Sequence, residues 1–298
     1  MEQSTKEKFY SGFITILGSP NAGKSTLIND IIGTKVAIVT NKPQTTRNVI
    51  QGIYLDKDCQ MVFLDTPGLH NPKNKLGKYM MRSANESIKD IDAVLYVIDV
   101  KSGVRQKDIE NIIGYNVPLV IALNKTDLVL SEKIKEEKEK LKGLSQINKI
   151  FEISALKNEG IDDLISCLKK YMPEGPKYYD DNMYTDRPEM FIAAEMIREK
   201  AFLALEKELP YGVGVEIEKI SFREDKDIVD VCAVIYCEKK SHKGMIIGKK
   251  GEMLKKIGFL ARSDLEMLFG QKVYLELWVK VKEDWRNKDS ILKLLGYD

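Results

Sequence analysis

The sequence predicts an α/β chain in two parts: a larger domain with a mixed, mostly parallel sheet, followed by a smaller α+β domain. Three observations carry this. Short apolar runs alternate with amphipathic stretches from residue 13 to about 170, a breaker-rich segment interrupts the pattern over 173–189, and a different order of elements begins beyond it. With 298 residues, 43% of them hydrophobic, the chain is long enough to bury two cores.

The apolar runs 13–17 (FITIL), 61–64 (MVFL), 93–98 (AVLYVI) and 119–123 (LVIAL) are predicted buried strands, and 149–153 (KIFEI) is a further one. Helical patterns over 24–32 and 106–115 lie between them. That alternation predicts a sheet covered by helices on both faces. The charged run 131–142 is expected to be a solvated helix face. Prolines 173, 176 and 188 and Gly175 mark a linker, which gives domains of 1–172 and 190–298 joined by 173–189. In the second domain, Ala194, Ile197, Ala201, Ala204 and Leu205 have helical spacing, predicting a helix over 190–209 that Pro210 and Gly212 end. Strands are predicted over 213–222 and 228–237, then a glycine-rich helical turn and a helix over 252–269. A last strand follows, in which Val273, Leu275, Leu277, Val279 and Val281 alternate with Tyr274, Glu276, Trp278, Lys280 and Lys282. Tyr274 and Trp278 are expected to pack under helices.

Composition narrows the function classes. A formal net charge of +2 announces no polyanion partner globally, although 31% charged residues leave room for local patches. Cys59, Cys167, Cys232 and Cys237 have no C-x-x-C spacing, so a zinc site or redox dithiol is not expected and reduced thiols are. The first residues have no apolar segment behind their charges, and no apolar run approaches the about 20 residues needed to span a bilayer. A cytoplasmic protein is expected.

Gly18-Ser19-Pro20-Asn21-Ala22-Gly23-Lys24-Ser25 fits G-x-x-x-x-G-K-[ST], directly after a predicted strand and opening a helix that continues with Thr26. Backbone N–H groups of such a loop close around a β-phosphate, helped by the positive end of the helix. Lys24 is expected to reach the β- and γ-phosphates, and Ser25 to ligate Mg²⁺. Asp65-Thr66-Pro67-Gly68 follows a buried run, which puts the Asp65 carboxylate at a strand end where it can hold Mg²⁺ through water, with the Gly68 amide sensing a γ-phosphate. Between these motifs, Thr46 is the preferred switch hydroxyl for completing the Mg²⁺ shell, with Thr45 the alternative.

Asn124-Lys125-Thr126-Asp127 ends the strand 119–123. Asp127 can accept two N–H bonds from guanine, and adenine offers no such pair, so a buried carboxylate there discriminates strongly. Lys125 is expected to lie along the base and Asn124 to tie this loop to the phosphate loop. Ser154, Ala155 and Leu156 are expected to present backbone N–H groups to the guanine carbonyl. These pieces resemble the Ras-like, translation-factor-related GTPases, and an ATP-dependent enzyme is rejected. Leu69 stands where Ras-type proteins carry a water-orienting glutamine, so no catalytic side-chain base is expected. Slow intrinsic conversion of GTP to GDP and phosphate follows, rising when a partner or a monovalent cation orders the switches at 39–47 and 66 to about 82. Asn21 is a candidate K⁺ ligand.

Gly248-Lys249-Lys250-Gly251, preceded by Ile246 and Ile247, places a G-x-x-G loop at a helix junction, as in domains that clamp single-stranded RNA. The two isoleucines are expected to floor the bases. Lys239, Lys240, Lys243, Lys249, Lys250, Lys255 and Lys256 concentrate positive charge around the loop. The order helix, strand, strand, helical turn, helix, strand resembles the type II KH arrangement. His242 is expected to be a surface histidine.

Together with Pro43-Gln44-Thr45-Thr46-Arg47, the segment from Arg198-Glu199-Lys200 to Glu208-Leu209-Pro210-Tyr211, and Gly244-Met245, these motifs resemble the bacterial Era GTPases over essentially the whole chain. The resemblance implies a Ras-like P-loop GTPase domain followed by a smaller type II KH domain, a role in assembling the small ribosomal subunit, and binding near the 3′ end of 16S rRNA. It also implies peripheral contact with the inner face of the cell membrane. A monomer is expected. Two rivals stay open: a signalling or trafficking GTPase whose C-terminal domain binds protein, and a GTP-dependent RNA-modifying enzyme. The second needs a redox, methyl-donor or nucleophile site, and none is visible in the sequence.

Overall fold

The computed structural model describes residues 8–40, 42, 45–67, 72, 74–224 and 226–297. These fall into two compact units. One is drawn from Met1–Ala37, Thr46–Leu69 and Arg82–Asp186, the other from Ile38–Thr45, His70–Met81 and Arg187–Asp298.

In the first unit the described elements run β1 (Tyr10–Gly18), α1 (Lys24–Ile32), β2 (Ile50–Leu55), β3 (Cys59–Asp65), then α2 (Lys75–Glu86), whose earlier part belongs to the second unit. They continue with β4 (Ala93–Asp99), α3 (Gln106–Ile112), β5 (Leu119–Asn124), α4 (Ser131–Leu141), β6 (Ile147–Glu152) and α5 (Ile161–Lys169). The sheet order is β2-β3-β1-β4-β5-β6, with β2 antiparallel to β3 and the other pairs parallel. The mixed, mostly parallel sheet is therefore as expected. Its central strands are mostly apolar because helices cover both faces: Ile14, Ile16, Met61, Phe63, Val94 and Leu95 are fully buried, with Ser11, Thr15 and Gln60 as polar exceptions inside β1 and β3. Strand β1 lies between β3 and β4, so the chain crosses to opposite sides of β1 and opens a crevice at the strands' carboxyl ends.

Strand β2 is not among the strands predicted from sequence. As an antiparallel edge strand it has a mixed composition, and it holds α1 closely through Gly52, where a Cβ would stand 2.8 Å from Ile28 Cδ1. The run 131–142 forms α4 but is not wholly solvated. Ile134 and Leu141 are buried, and so is Glu137, which accepts from the Val104 amide at 2.7 Å and pairs with Lys133 at 2.7 Å and Lys140 at 2.8 Å. The breaker-rich stretch is strapped to the first unit: Ser11 donates its amide to the Pro173 carbonyl at 3.0 Å and its hydroxyl to the Pro176 carbonyl at 2.7 Å. Gln60 Oε1 accepts from the Tyr178 and Tyr179 amides at 2.8 and 3.0 Å. The four cysteines are free thiols, and burial pushes Cys59 up to about 11.

The second unit holds α6 (Glu189–Ala204), β7 (Gly214–Phe222), β8 (Ile228–Cys237), α7 (Lys240–Ile247), α8 (Glu252–Phe269), β9 (Lys272–Val281) and α9 (Asp289–Leu294). Its sheet is ordered β7-β8-β9, with β7 antiparallel and β9 parallel to β8. Ile197 and Ala201 of α6 and Ile257, Ala261 and Leu265 of α8 bury one sheet face with Val229, Val231, Ala233 and Ile235. The predicted helix 190–209 ends earlier, at Ala204, and Pro210–Gly212 forms a separate 3-10 turn. Tyr274 and Trp278 are not packed under helices: each is 57% exposed, on the face opposite α6 and α8. Part of that face is covered instead by Trp285, Leu292, Leu295 and Tyr297, with Leu76 and Met80 of α2, around Val234 and Tyr236. Trp285 is fully buried and donates its indole N–H to the Gly212 carbonyl at 2.8 Å.

Candidate functional site

The phosphate loop begins where β1 ends. Gly18 has φ +141°, and a Cβ on it would stand 2.1 Å from the Val97 carbonyl oxygen. Gly23, φ +97°, precedes α1, and a Cβ there would stand 2.2 Å from Asn124 Nδ2. Both positions need glycine for conformation and for space. Between them the loop folds tightly: the Ala22 amide donates to the Ser19 carbonyl at 3.2 Å, and Asn21 takes φ +63°.

Lys24 is buried, and its ammonium donates to the Gly18 and Ser19 carbonyls at 3.0 and 3.2 Å. Burial lowers its pKa, opposed by Asp65. Asp65, at the end of β3, is fully buried. Its Oδ2 accepts from Ser25 Oγ at 2.7 Å and from Thr46 Oγ1 at 3.3 Å, whereas its Oδ1 has no hydrogen-bond partner among the described residues. Burial raises its pKa, against the charge of Lys24 and the two hydroxyl bonds. Two hydroxyls thus meet at a carboxylate with one oxygen left over, a set of hard oxygen donors that fits a Mg²⁺ ion. Of the two threonine candidates, Thr46 reaches this cluster; Thr45 Oγ1 instead donates to the Lys42 carbonyl at 2.7 Å. The Thr66 hydroxyl bonds the Ile16 carbonyl at 3.2 Å, and Pro67 follows it. Gly68 and Leu69 lie outside the described residues.

The loop after β5 is tied down by one side chain. Asn124 Nδ2 donates to the Ala22 carbonyl at 2.8 Å, and its Oδ1 accepts from the Lys125 and Ala155 amides at 2.8 and 3.0 Å. Lys125, at φ +67°, sends its ammonium to the Asn21 carbonyl at 2.6 Å and to Asp99 Oδ2 at 2.8 Å. Thr126 Oγ1 donates to the Ile153 carbonyl at 2.9 Å, and Asp127 Oδ1 accepts from Ser154 Oγ at 2.7 Å. The segment formed by Ser154, Ala155 and Leu156, expected to supply backbone N–H to a guanine carbonyl, follows directly on Ile153. The Ser154 amide is taken by the Glu159 carbonyl at 3.0 Å and the Ala155 amide by Asn124, while Leu156 is 80% exposed.

Two further acids brace the loops. Asp99 holds Lys125, and Lys125 helps hold its carboxyl below the usual range although burial works the other way. Buried Asp108 accepts from Ser19 Oγ at 2.8 Å and Tyr96 Oη at 2.9 Å through Oδ1, and from the Arg105 amide at 3.0 Å through Oδ2. Asp99 could have been suspected from its place at the end of β4. Asp108 carries no sequence signal.

In the second unit the GKKG loop joins α7 to α8. Gly248 (φ +74°), Lys250 (φ +52°) and Gly251 (φ +81°) all take positive φ; a Cβ on Gly248 would stand 2.8 Å from Met253 Cβ, whereas one on Gly251 would meet nothing within 4 Å, so the turn is open to an approaching chain at its Gly251 end. Lys243, Lys249 and Lys250 are exposed. Ile246 does not floor a base site, because its side chain is fully buried in the core; Ile247 is half-buried. Beside the loop runs a groove of about 470 Å³, lined by Gly251, Leu254, Lys255, Phe259, Arg262 and Tyr274 among others. Sequence reasoning missed Phe259, Arg262 and the edge of β9 as its walls. No helix among the described residues is long and apolar enough to cross a membrane.

Comparison with known proteins converges on the same division. A family described as 50S ribosome-binding GTPase matches residues 13–125, and the KH domain family matches residues 208–286. The chain is 52% identical to the GTPase Era of Alkaliphilus oremlandii, over 97% of this chain and 99% of that protein, and 49% identical to the GTPase Era of Ruminiclostridium cellulolyticum, over 97% and 98%. Among solved structures it resembles Era in complex with MgGDPNP and nucleotides 1506-1542 of 16S ribosomal RNA, with TM-score 0.91, 36% identity and coverage of 97% of this chain and 99% of that one. An Aquifex aeolicus Era variant bound to GDP.AlF4- matches equally, at TM-score 0.91 and 36% identity over the same shares. It is a GTP-hydrolysing, two-part protein with a Ras-like fold and a C-terminal KH domain, and it belongs to the Era family of GTPases.

Proposed function

We propose that this GTPase binds the 3′ end of 16S rRNA during assembly of the small ribosomal subunit, holding it in the GTP state and releasing it after hydrolysis. The observation that carries the reading is a groove basic at Lys255 and Arg262 and aromatic at Phe259 and Tyr274, beside a GKKG loop whose Lys249 and Lys250 are exposed. Cations along a groove with rings for stacking suit single-stranded RNA. Support also comes from the solved Era with 16S rRNA nucleotides, which this chain matches over 97% of its length.

In the first unit, Lys24 would exchange its carbonyl partners for β- and γ-phosphate oxygens, and the amides of Gly18–Thr26 at the start of α1 would complete the cradle. Asp127 would accept from guanine N1 and N2, with Asn124 and Lys125 fixing its loop. Ser25, Thr46 and Asp65 would hold Mg²⁺, which neutralises phosphate charge when bound. With leucine at 69, water is oriented by no side chain there, so turnover is slow. Asn21 as a K⁺ ligand predicts faster turnover in K⁺ than in Na⁺; equal rates would remove it. Cytoplasmic location with peripheral membrane contact, and a monomeric state, remain implications of the family, testable by vesicle flotation and by light scattering.

The experiment is binding of a 3′-terminal 16S rRNA oligonucleotide and a scrambled control, with GDPNP and with GDP. Tighter, sequence-selective binding with GDPNP supports the reading. Weak, equal binding of both RNAs in both states would leave a GTPase whose C-terminal domain binds protein.

A further inference from the structure

After proline, glycine is the poorest residue for a helix interior, because it gives up the most backbone freedom on folding. Helix α8 nonetheless carries one, Gly258, well inside its 18 residues. The glycines just before this helix have a conformational reason: Gly248 and Gly251 take φ of +74° and +81°. Gly258 keeps a helical backbone. A Cβ on it would stand 3.4 Å from Leu277 Cδ1, an ordinary contact, and within 4 Å of nothing else. Neither conformation nor packing therefore excludes alanine at this position.

What lies beside the missing methyl is the groove of about 470 Å³. Leu254, Gly258 and Arg262 follow one another at four-residue spacing, so they share the face of α8 that forms one wall. Leu275 and Leu277 of β9 belong to the other wall, and these two and Leu254 are half-buried. Lys255, Phe259 and Arg262 are exposed along the helix side. The inner lining is thus apolar, and the outer lining is cationic and aromatic. Such a slot draws phosphate to its outer residues and a flat ring with apolar faces to its inner ones. At Gly258 the wall is bare helix backbone, and a ring can come closer to it by the space of a methyl group.

We propose that Gly258 seats a single RNA base, whose ring lies against the backbone of α8 between Leu254 and Arg262, the absent methyl setting the depth of the slot. This rests on the groove being the RNA site. The chain gives up helix stability at this position, and alanine restores it while closing the seat.

The test uses the full-length protein with GDPNP and a 3′-terminal 16S rRNA oligonucleotide, either intact or carrying one abasic nucleotide at each position in turn. Gly258→Ala should melt no lower than the parent, and up to about 5 °C higher. Its RNA affinity should fall about tenfold with no change in the slope of log affinity against log salt, because a seated base is lost and no phosphate contact is. In the parent, one abasic position should cost about tenfold. In Gly258→Ala that position should cost little, the seat being already closed, and the other positions as much as before. Equal RNA affinity in Gly258→Ala and the parent overturns the proposal, as does an abasic profile that is the same in both. A fall in melting temperature overturns it too, by showing that packing requires the glycine. Lys249→Asp with Lys250→Asp tells these failures from a wider one. If that pair lowers RNA affinity and the salt slope while Gly258→Ala changes neither affinity nor profile, the seat alone is lost; if the parent shows no salt-dependent RNA binding, the RNA reading falls and the seat with it.

Discussion

The chain has two glycine-bounded lysine loops, each leading into a helix N-terminus, and they are built on opposite plans. In the phosphate loop a Cβ on Gly18 or Gly23 would meet another atom at 2.1 or 2.2 Å, Lys24 is buried, and the neighbouring loops are tied to it by Asn124, Lys125 and Asp108. In the GKKG loop a Cβ on Gly248 would meet Met253 Cβ at 2.8 Å, but one on Gly251 would meet nothing within 4 Å, and Lys249 and Lys250 are exposed. The first is braced by bonds within the protein itself, so little conformational entropy is lost on binding a small nucleotide. The second is an open shelf that can follow a long, flexible polyanion, with affinity drawn from released counterions.

The largest expected effect is at the closed loop. Lys24→Ala leaves phosphate charge facing a buried site without its cation, and GDP affinity by calorimetry should fall about a hundredfold or more. At the open loop, Lys249→Asp with Lys250→Asp should weaken RNA binding about tenfold and reduce the slope of log affinity against log salt by about two, with GDP affinity unchanged. If RNA binding were lost entirely and without salt dependence, the open loop would be a shaped pocket after all and the contrast would fail. Asp108→Ala removes the brace behind Ser19 and should speed nucleotide release about tenfold, through the charged bond lost at Ser19 Oγ. No change would mean that the closed loop holds its shape alone.

The smallest effect concerns acid. Burial works to raise the Glu137 pKa, but Lys133, Lys140 and the Val104 amide outweigh it and hold the carboxyl at about 2, against 4.5 ordinarily. A depressed native pKa contributes stability above about 4.5 that fades as pH falls toward about 2. Glu137→Gln should therefore lower stability by about 1–3 kcal/mol near neutrality. Its unfolding midpoint in urea should also respond less to acid over that window than the parent's. Parallel pH profiles for the two proteins would refute this.

How much of this was legible in the sequence depended on how local the cause is. Glycines 18 and 23, Asn124 and Asp127 announce themselves because their chemistry requires a fixed residue at a fixed spacing. The buried strands were legible because a strand covered on both faces is apolar at most positions rather than at alternate ones, and β2 was not, being an edge strand with Gln51 and Gly52 inside it. Ile246 misled because periodicity cannot tell a base floor from a core position at a helix end. Tyr274 and Trp278 misled because alternation separates two faces of a strand without saying which cover each receives. That cover comes partly from Trp285 and α9, beyond the last predicted strand. Asp108 joins residues far apart in sequence, and no local pattern marks it.

The Asn124 side chain, bonded at once to Ala22, Lys125 and Ala155, has a consequence for how the ligand is felt. A guanine nucleotide is a bivalent ligand, a base and a polyphosphate on a short stiff spacer, and at the proposed site Asn124 would set the distance between the loops that receive its two ends. When spacer and span match, the second end binds at a very high effective concentration, so the whole nucleotide exceeds the product of its parts. A guanine nucleotide whose spacer is stretched by one atom would keep both end groups and lose that advantage.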